Sequence, residues 1–273
     1  MNHFFLNCHD YFFRNMAISL DGVFKIKNRS ISVDITGGEP TFDKVTFQRA
    51  LKLIKEKIEE HHPQISKVVL TTNGYNLKRC FETIDEFSLI NIVNTSIHSV
   101  DYAERVKIFR SSRIPTNDDL KDFNNYFHAV GITSTAVAVV TKDTFRNSVD
   151  FSDFVPSFAA GIKRLGFDNG RIRIDYMDET SKINEDLFNT HFDGESSQIL
   201  PTLKCKTVSC FDSEIKIYKG VPEIAKLIVG PEIILDNNGK LYLDYAKSKP
   251  VSPDEVSLLE NCLYVKKGSF PND

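Results

Sequence analysis

Three short clusters hold the residue types that could do chemistry here: Gly37-Gly38-Glu39-Pro40, Asn73-Gly74 and Ser96-Ile97-His98. Gly37 and Gly38 lack side chains, so the backbone can come close to a ligand, and Pro40 stiffens the turn that follows. Glu39 supplies an acceptor or a negative charge, and a carboxylate facing an ammonium group makes a charge-assisted hydrogen bond. Each cluster also has an ordinary structural reading. Gly-Gly-Glu-Pro can be a tight strand-to-helix turn, Asn-Gly is a turn dipeptide, and Ser96 and His98 can be core or capping residues. What raises their interest is position, because all three end successive predicted strands.

The five cysteines stand at 8, 80, 205, 210 and 262, an odd number with no C-x2-C pair. A disulfide scaffold and a zinc ribbon are both disfavoured by that spacing. Cys80 falls on a helix pattern and reads as packing. Cys205, Cys210 and Cys262 read first as buried free thiols in a reducing compartment. His61 and His62 sit at the polar end of a helix pattern and form no H-x3-H arrangement.

The elements that must position these residues alternate. Ser32 to Thr36, Val68 to Thr71, Ile90 to Ser96, Ile132 to Val140 and Arg171 to Tyr176 read as strands. Helical spacing covers Val45 to Ile58, Leu77 to Phe87, Tyr102 to Phe109, Asp118 to Val130 and Phe151 to Leu165. Strand-helix alternation predicts a parallel sheet with right-handed crossovers, its ligand-bearing edge at the C-terminal ends of the strands. From about residue 180 the pattern changes. Glu179 to Ser197 is polar, the tail from Ser213 to Lys247 looks antiparallel, and Asn237-Asn238-Gly239 between two apolar runs signals a hairpin. The expected organisation is a main domain over 1–180 and a C-terminal extension over 181–273.

Composition bounds the partners. The 273 residues are 41% hydrophobic and 26% charged, with a net charge of -3, so this is ordinary globular material without the basic excess of a committed nucleic-acid binder. No window approaches a membrane span, and the N-terminal segment lacks the pattern of a signal peptide. The expectation is a cytoplasmic protein.

The run Ile35-Thr36-Gly37-Gly38-Glu39-Pro40-Thr41-Phe42 resembles the GGEP motif of the radical S-adenosylmethionine (SAM) enzymes. Thr71-Thr72-Asn73-Gly74 and Asn94-Thr95-Ser96-Ile97-His98-Ser99 are similar to their third and fourth strand endings. Asp175-Tyr176-Met177-Asp178 falls where the sixth strand ends in the molybdopterin-precursor cyclases and related members, and peptide maturases are similar too. The resemblance covers about Asn2 to Asp178. It implies an α/β partial (βα)6 barrel, here lacking its first strand, and a C-terminal extension with a β-hairpin. It also implies SAM as the cofactor, contacted by Gly37, Gly38, Glu39, Pro40, Asn73, Ser96 and His98.

The family's [4Fe-4S] cluster hangs on C-x3-C-x2-C. Aligned on Asn2, Leu6, Cys8 and Phe12, this chain keeps only the middle cysteine, Cys8, with Phe4 and Tyr11 at the other two positions. Neither offers a thiolate, which iron-sulfur clusters require. Aromatic side chains are expected to fill the cluster's space, with Phe4, Tyr11 and Phe12 buried near Gly37 and Gly38. Cys205, Cys210 and Cys262 would mark the remnant of an auxiliary cluster site. The expectation is a non-catalytic or regulatory homologue, a pseudoenzyme that partners an active radical SAM paralogue or binds a peptide or small-molecule substrate. The alternatives are an active enzyme with atypical ligation and an unrelated α/β binding module.

Overall fold

The computed structural model describes residues 2–25, 30–140, 151–174, 196–200, 203–220, 234–235, 241–242 and 250–252. The chain forms two compact, interleaved units. One comprises Met1–Ser32, Gln48–Ser66 and Glu223–Asp273, the other Val33–Phe47 and Lys67–Pro222. This division differs from the expected boundary at residue 180.

The second unit carries most of an eight-stranded sheet. Its strands are β1 (Ser30–Ile35), β2 (Gln64–Thr72), β3 (Ile92–Ser96), β4 (Thr133–Val140), β5 (Asn169–Ile174), β6 (Ser196–Leu200), β7 (Leu203–Cys210) and β8 (Ser213–Gly220), in the order β1-β2-β3-β4-β5-β8-β7-β6. β2 through β5 are parallel, as the alternation predicts. The tail departs from expectation, because β8 lies parallel to β5 while pairing antiparallel with β7. The excursion through β6 and β7 brings the chain back in the direction a further parallel strand needs.

The helices are α1 (Asn2–Phe24), α2 (Lys44–His61), α3 (Phe81–Phe87, entered through a 3-10 turn at Leu77–Cys80), α4 (Tyr102–Phe109), α5 (Asn117–Ala129) and α6 (Phe151–Arg164). Caps set several boundaries. Asp101 accepts the Glu104 N–H at 3.0 Å, and Thr116 with Asp119 forms a reciprocal capping box at the start of α5. The helix-facing side of the sheet is apolar: Leu70, Val93, Ala136, Ala138, Ile172, Ile215 and Ile217 are all buried. A Cβ on Gly170 would lie 2.5 Å from Ile215 and 2.9 Å from Ile162 of α6, so close packing there requires glycine.

In the first unit, α1 is the main correction to the sequence reading. The segment from Phe4 to Phe12 was expected as a cluster-type loop and is instead helical. Phe13, Met16, Ser19 and Phe24 are buried at steps of three to five residues, one stripe of an amphipathic helix. Tyr11 is 57% exposed, so it does not serve as a cavity filler, and Phe12 is only half-buried. The side chains of Phe4 and Cys8 lie outside the described residues. Asp21 of α1 is held by Lys57 Nζ at 2.7 Å and by His61 Nε2 at 2.8 Å, while Arg49 stacks on Phe13 at 4.2 Å. The expected hairpin is present as β9 (Ile234–Leu235) and β10 (Leu241–Tyr242), joined by β11 (Pro250–Val251) in a small antiparallel sheet. Its turn, 236–240, lies outside the described residues.

Candidate functional site

The turns after β1 and β2 form one bracket around Glu39. Glu39 Oε1 accepts from the Thr41 N–H at 3.1 Å and the Thr72 hydroxyl at 2.5 Å, and Oε2 accepts from the Asn73 N–H at 2.7 Å. The Thr41 hydroxyl has two acceptors for its single proton, Glu39 Oε1 at 2.7 Å and the Tyr75 carbonyl at 2.6 Å. Thr72 Oγ1 in turn accepts the Gly74 N–H at 2.9 Å. The bracket is closed outside by Asn76 Nδ2 donating to the Phe42 carbonyl at 2.9 Å and by Phe42 stacked on Tyr75, centroids 5.7 Å apart. Gly-Gly-Glu-Pro is therefore a structural turn braced through its own glutamate. Oε1 is crowded with donors, whereas Oε2 has one described donor and room for a second.

Beside this carboxylate the backbone is open. Gly37 has φ of 93°, a left-handed conformation that favours glycine, and a Cβ on Gly37 or Gly38 would meet nothing within 4 Å. Gly74, also at positive φ, is closed instead: its Cβ would strike Pro115 at 2.5 Å, so this glycine serves packing.

Ser96 ends β3, one strand along from Asn73. Its hydroxyl makes no hydrogen bond among the described residues. His98 has φ of 56°, packs at a tilt against Phe109 with ring centroids 5.0 Å apart and accepts the Val139 N–H on Nδ1 at 3.0 Å. Burial holds its ring below the usual imidazole range. Since Nδ1 is an acceptor, the neutral ring carries its proton on Nε2. The loop after His98 is fixed by buried Arg105, whose guanidinium donates to the carbonyls of Ser99, Val100 and Pro115 and to Asn117 Oδ1.

All the sequence-predicted ligand contacts thus stand at the C-terminal ends of β1 to β3. Gly37, Gly38, Glu39, Pro40 and Asn73 are brought together, and Ser96 and His98 follow on the neighbouring strand. Thr41 and Thr72 were missed, although a Thr two residues past a turn glutamate is a recognisable partner for it. Asn94 was missed as well. It is buried, its Nδ2 donates to Thr71 at 3.3 Å, and its Oδ1 has no partner among the described residues.

Cys205 and Cys210 occupy one strand, five residues apart, which separates their backbone positions by roughly 17 Å along it. Cys80 is buried, and burial pushes its thiol up to about 11. Cys262 and Asp175 to Asp178 lie outside the described residues. Among the described residues, the group with metal-ligating geometry is Asp21, Glu60 and His61, and the Lys57 ammonium already occupies it.

A family model described as the radical SAM superfamily matches residues 22–155. Residues 22–155 belong to the radical SAM superfamily. The match spans the Glu39 bracket and the ends of β2, β3 and β4, and it begins after Cys8. Among solved structures, Streptococcus suis SuiB is similar at 15% identity over 92% of this chain and 59% of that one, with a TM-score of 0.54. A second SuiB structure, bound to S-adenosylmethionine, matches at 18% identity over 63% of this chain and 38% of that one, TM-score 0.41. Escherichia coli coproporphyrinogen III oxidase (HemN), a radical SAM enzyme, matches at 12% identity over 66% and 40%, TM-score 0.44. This chain spans less than two thirds of each of these neighbours. No curated protein sequence matches it significantly.

For the family's cofactors, the donor chemistry divides. The open Gly37-Gly38 edge and the remaining acceptor position on Glu39 Oε2 suit the amino end of SAM. For the [4Fe-4S] cluster, the segment aligned with the family's motif offers one cysteine, Cys8, and its Tyr11 faces solvent.

Proposed function

We propose that this radical SAM-like protein binds SAM or a similar amino-acid nucleotide at the Glu39 bracket without a catalytic cluster, acting as a non-catalytic or regulatory homologue. The observation that carries this reading is the polar bracket at the ends of β1 and β2. The ammonium-binding half is complete, with Glu39 held by backbone and threonine donors beside an open glycine edge. In the alignment on Asn2, Leu6, Cys8 and Phe12 the sequence keeps one of the family's three cysteines. Gly37, Gly38, Glu39, Pro40 and Asn73 would hold the amino end, with Ser96 and the Nε2 proton of His98 contacting the remainder. Affinity should be weak, because the open iron of a cluster is missing as an anchor. The protein's role would be to present or sense a ligand in the cytoplasm, alongside an active radical SAM paralogue or with a peptide or small-molecule substrate. SuiB has been solved bound to its precursor peptide SuiA, which makes a peptide one class to test.

Two measurements test the reading. Anaerobically prepared protein should contain iron and sulfide far below four atoms of each per chain, and stoichiometric cluster would establish an active enzyme with atypical ligation instead. Calorimetric titration should show weak SAM binding that Glu39→Gln reduces further, with S-adenosylhomocysteine as a control. SAM binding that is strong and indifferent to Glu39→Gln would show that the bracket is not the site in use.

A further inference from the structure

Arg105 of α4 is 2% exposed. A guanidinium so enclosed keeps its charge and loses its water, a cost that an apolar side chain in the same place would not incur. None of its four described acceptors is a carboxylate. Nη1 donates to the carbonyls of Ser99 at 3.2 Å and Val100 at 3.1 Å, and Nη2 donates to the Pro115 carbonyl at 3.3 Å and Asn117 Oδ1 at 2.6 Å. Nε is buried with no partner among the described residues. Asp101 and the Tyr102 ring, 5.6 Å away, offset the charge without hydrogen-bonding it. The fork therefore spans two loops: Nη1 holds the chain that leaves His98, and Nη2 holds the segment that leads into α5.

Each loop leads to one half of the candidate site. His98 has positive φ, a strained conformation for a residue with a Cβ. Among the described residues of this kind, His62, Ser88 and Arg110 follow helices, Asn76 opens the 3-10 turn, and Phe211 and Asp212 join β7 to β8, whereas His98 leaves a strand. Such a residue persists where its surroundings over-determine it. Here the surroundings are β4, through Val137 and Val139, and Arg105, through Ser99 and Val100. On the other side, Pro115 sits on Gly74, where a Cβ would come within 2.5 Å of its ring. The Gly74 N–H donates to Thr72 Oγ1, and the Thr72 hydroxyl donates to Glu39. Contacts thus run unbroken from Glu39 through Thr72, Gly74 and Pro115 to Arg105, and from Arg105 through Ser99 to His98, all within one compact unit.

We propose that Arg105 is a positioning residue that ties the Glu39 half of the site to the His98 half and sets the spacing at which one ligand meets both. The inference rests on the reading of this sheet edge as a SAM-type site and adds how the edge keeps its shape. A guanidinium suits the task because its two terminal nitrogens are fixed in one plane and serve different loops. The single nitrogen of a lysine holds one loop at most.

The test uses the full chain without SAM, so it fails separately from the SAM reading. Nitrogen-15 NMR of the His98 ring reports which nitrogen carries the proton, and amide hydrogen exchange reports the Val139 N–H on the His98 side and the Gly74 N–H on the Glu39 side. Wild type should show the Nε2–H form of His98 alone. Arg105→Met should mix the two ring forms and speed exchange at both amides at least about tenfold beyond any change shared by the rest of the sheet, the scale of losing one hydrogen bond from a charged donor. Arg105→Lys should speed exchange at one amide or at both, and it carries the test should Arg105→Met not fold. Asn124→Ala is the control. Asn124 is buried and its Nδ2 donates to the Leu165 carbonyl at 2.7 Å, so this variant removes a buried brace elsewhere and should leave the His98 ring and both amides unchanged. The proposal is overturned by Arg105→Lys behaving as wild type, by changes in Arg105→Met confined to one loop, or by equal changes in Asn124→Ala.

Discussion

Replacing Glu39 by glutamine changes one atom of the bracket in a way whose outcome the geometry dictates. Oε1 receives three described donor contacts and Oε2 one, so the glutamine oxygen takes the Oε1 position and the NH2 group faces the Asn73 N–H. Two donors then meet. The variant loses one charge-assisted hydrogen bond and leaves the Asn73 amide without a partner, a change usually costing about 1.5–3 kcal/mol. Glu39 is half-buried, so solvent recovers part of this, and we expect a loss of about 1–2 kcal/mol. Urea unfolding at pH 7 reads the stability. Amide hydrogen exchange reads the site, where Asn73 should speed up markedly while Thr41, still facing an oxygen, changes little. A variant within about 0.3 kcal/mol of wild type with Asn73 protection intact would show that Glu39 does not tie the two turns together.

Other expectations follow from single contacts. Gly170→Ala drives a Cβ into Ile215 and Ile162, and overpacking of this kind should cost about 1–3 kcal/mol in urea unfolding. Native Cys80, with its thiol pushed up to about 11, should resist iodoacetamide at pH 8, as mass spectrometry would show, and react only after unfolding. His98 is held below its ordinary range in the folded state, so the unfolded chain takes up that proton first as pH falls. Its contribution to stability is complete above about pH 6.5 and lost below it, and His98→Gln should remove that part of the slope between pH 7 and 5.

Much of the fold was legible because its elements are locally consistent. The spacing of Phe47, Leu51 and Ile54 names α2, and the β-branched run of β4 is bounded by Gly131 ahead of it. Two features resisted for different physical reasons. Residues 2–12 resemble a cluster loop, a local likeness that says nothing of the stripe Phe13, Met16, Phe24, whose burial drives a helix whatever the ancestry of the segment. β8 resisted because strand direction is set by which neighbour a strand pairs with, a non-local fact that the alternation Ile215, Ile217 does not encode.

The candidate site shows a finer limit. Whether Glu39 braces a turn or receives a ligand looked like a choice, and the two are compatible because a carboxylate has more acceptor positions than the bracket occupies. The cations of β5 were present in the sequence as Arg-Ile-Arg-Ile and passed as ordinary strand alternation. Alternation is unremarkable at a sheet edge, where one face meets water. Here it marks the same thing although β5 lies between β4 and β8: Ile172 is buried on the helix-covered face, while Arg171 is half-buried and Arg173 exposed on the other, so the charges keep their water and cost the fold little.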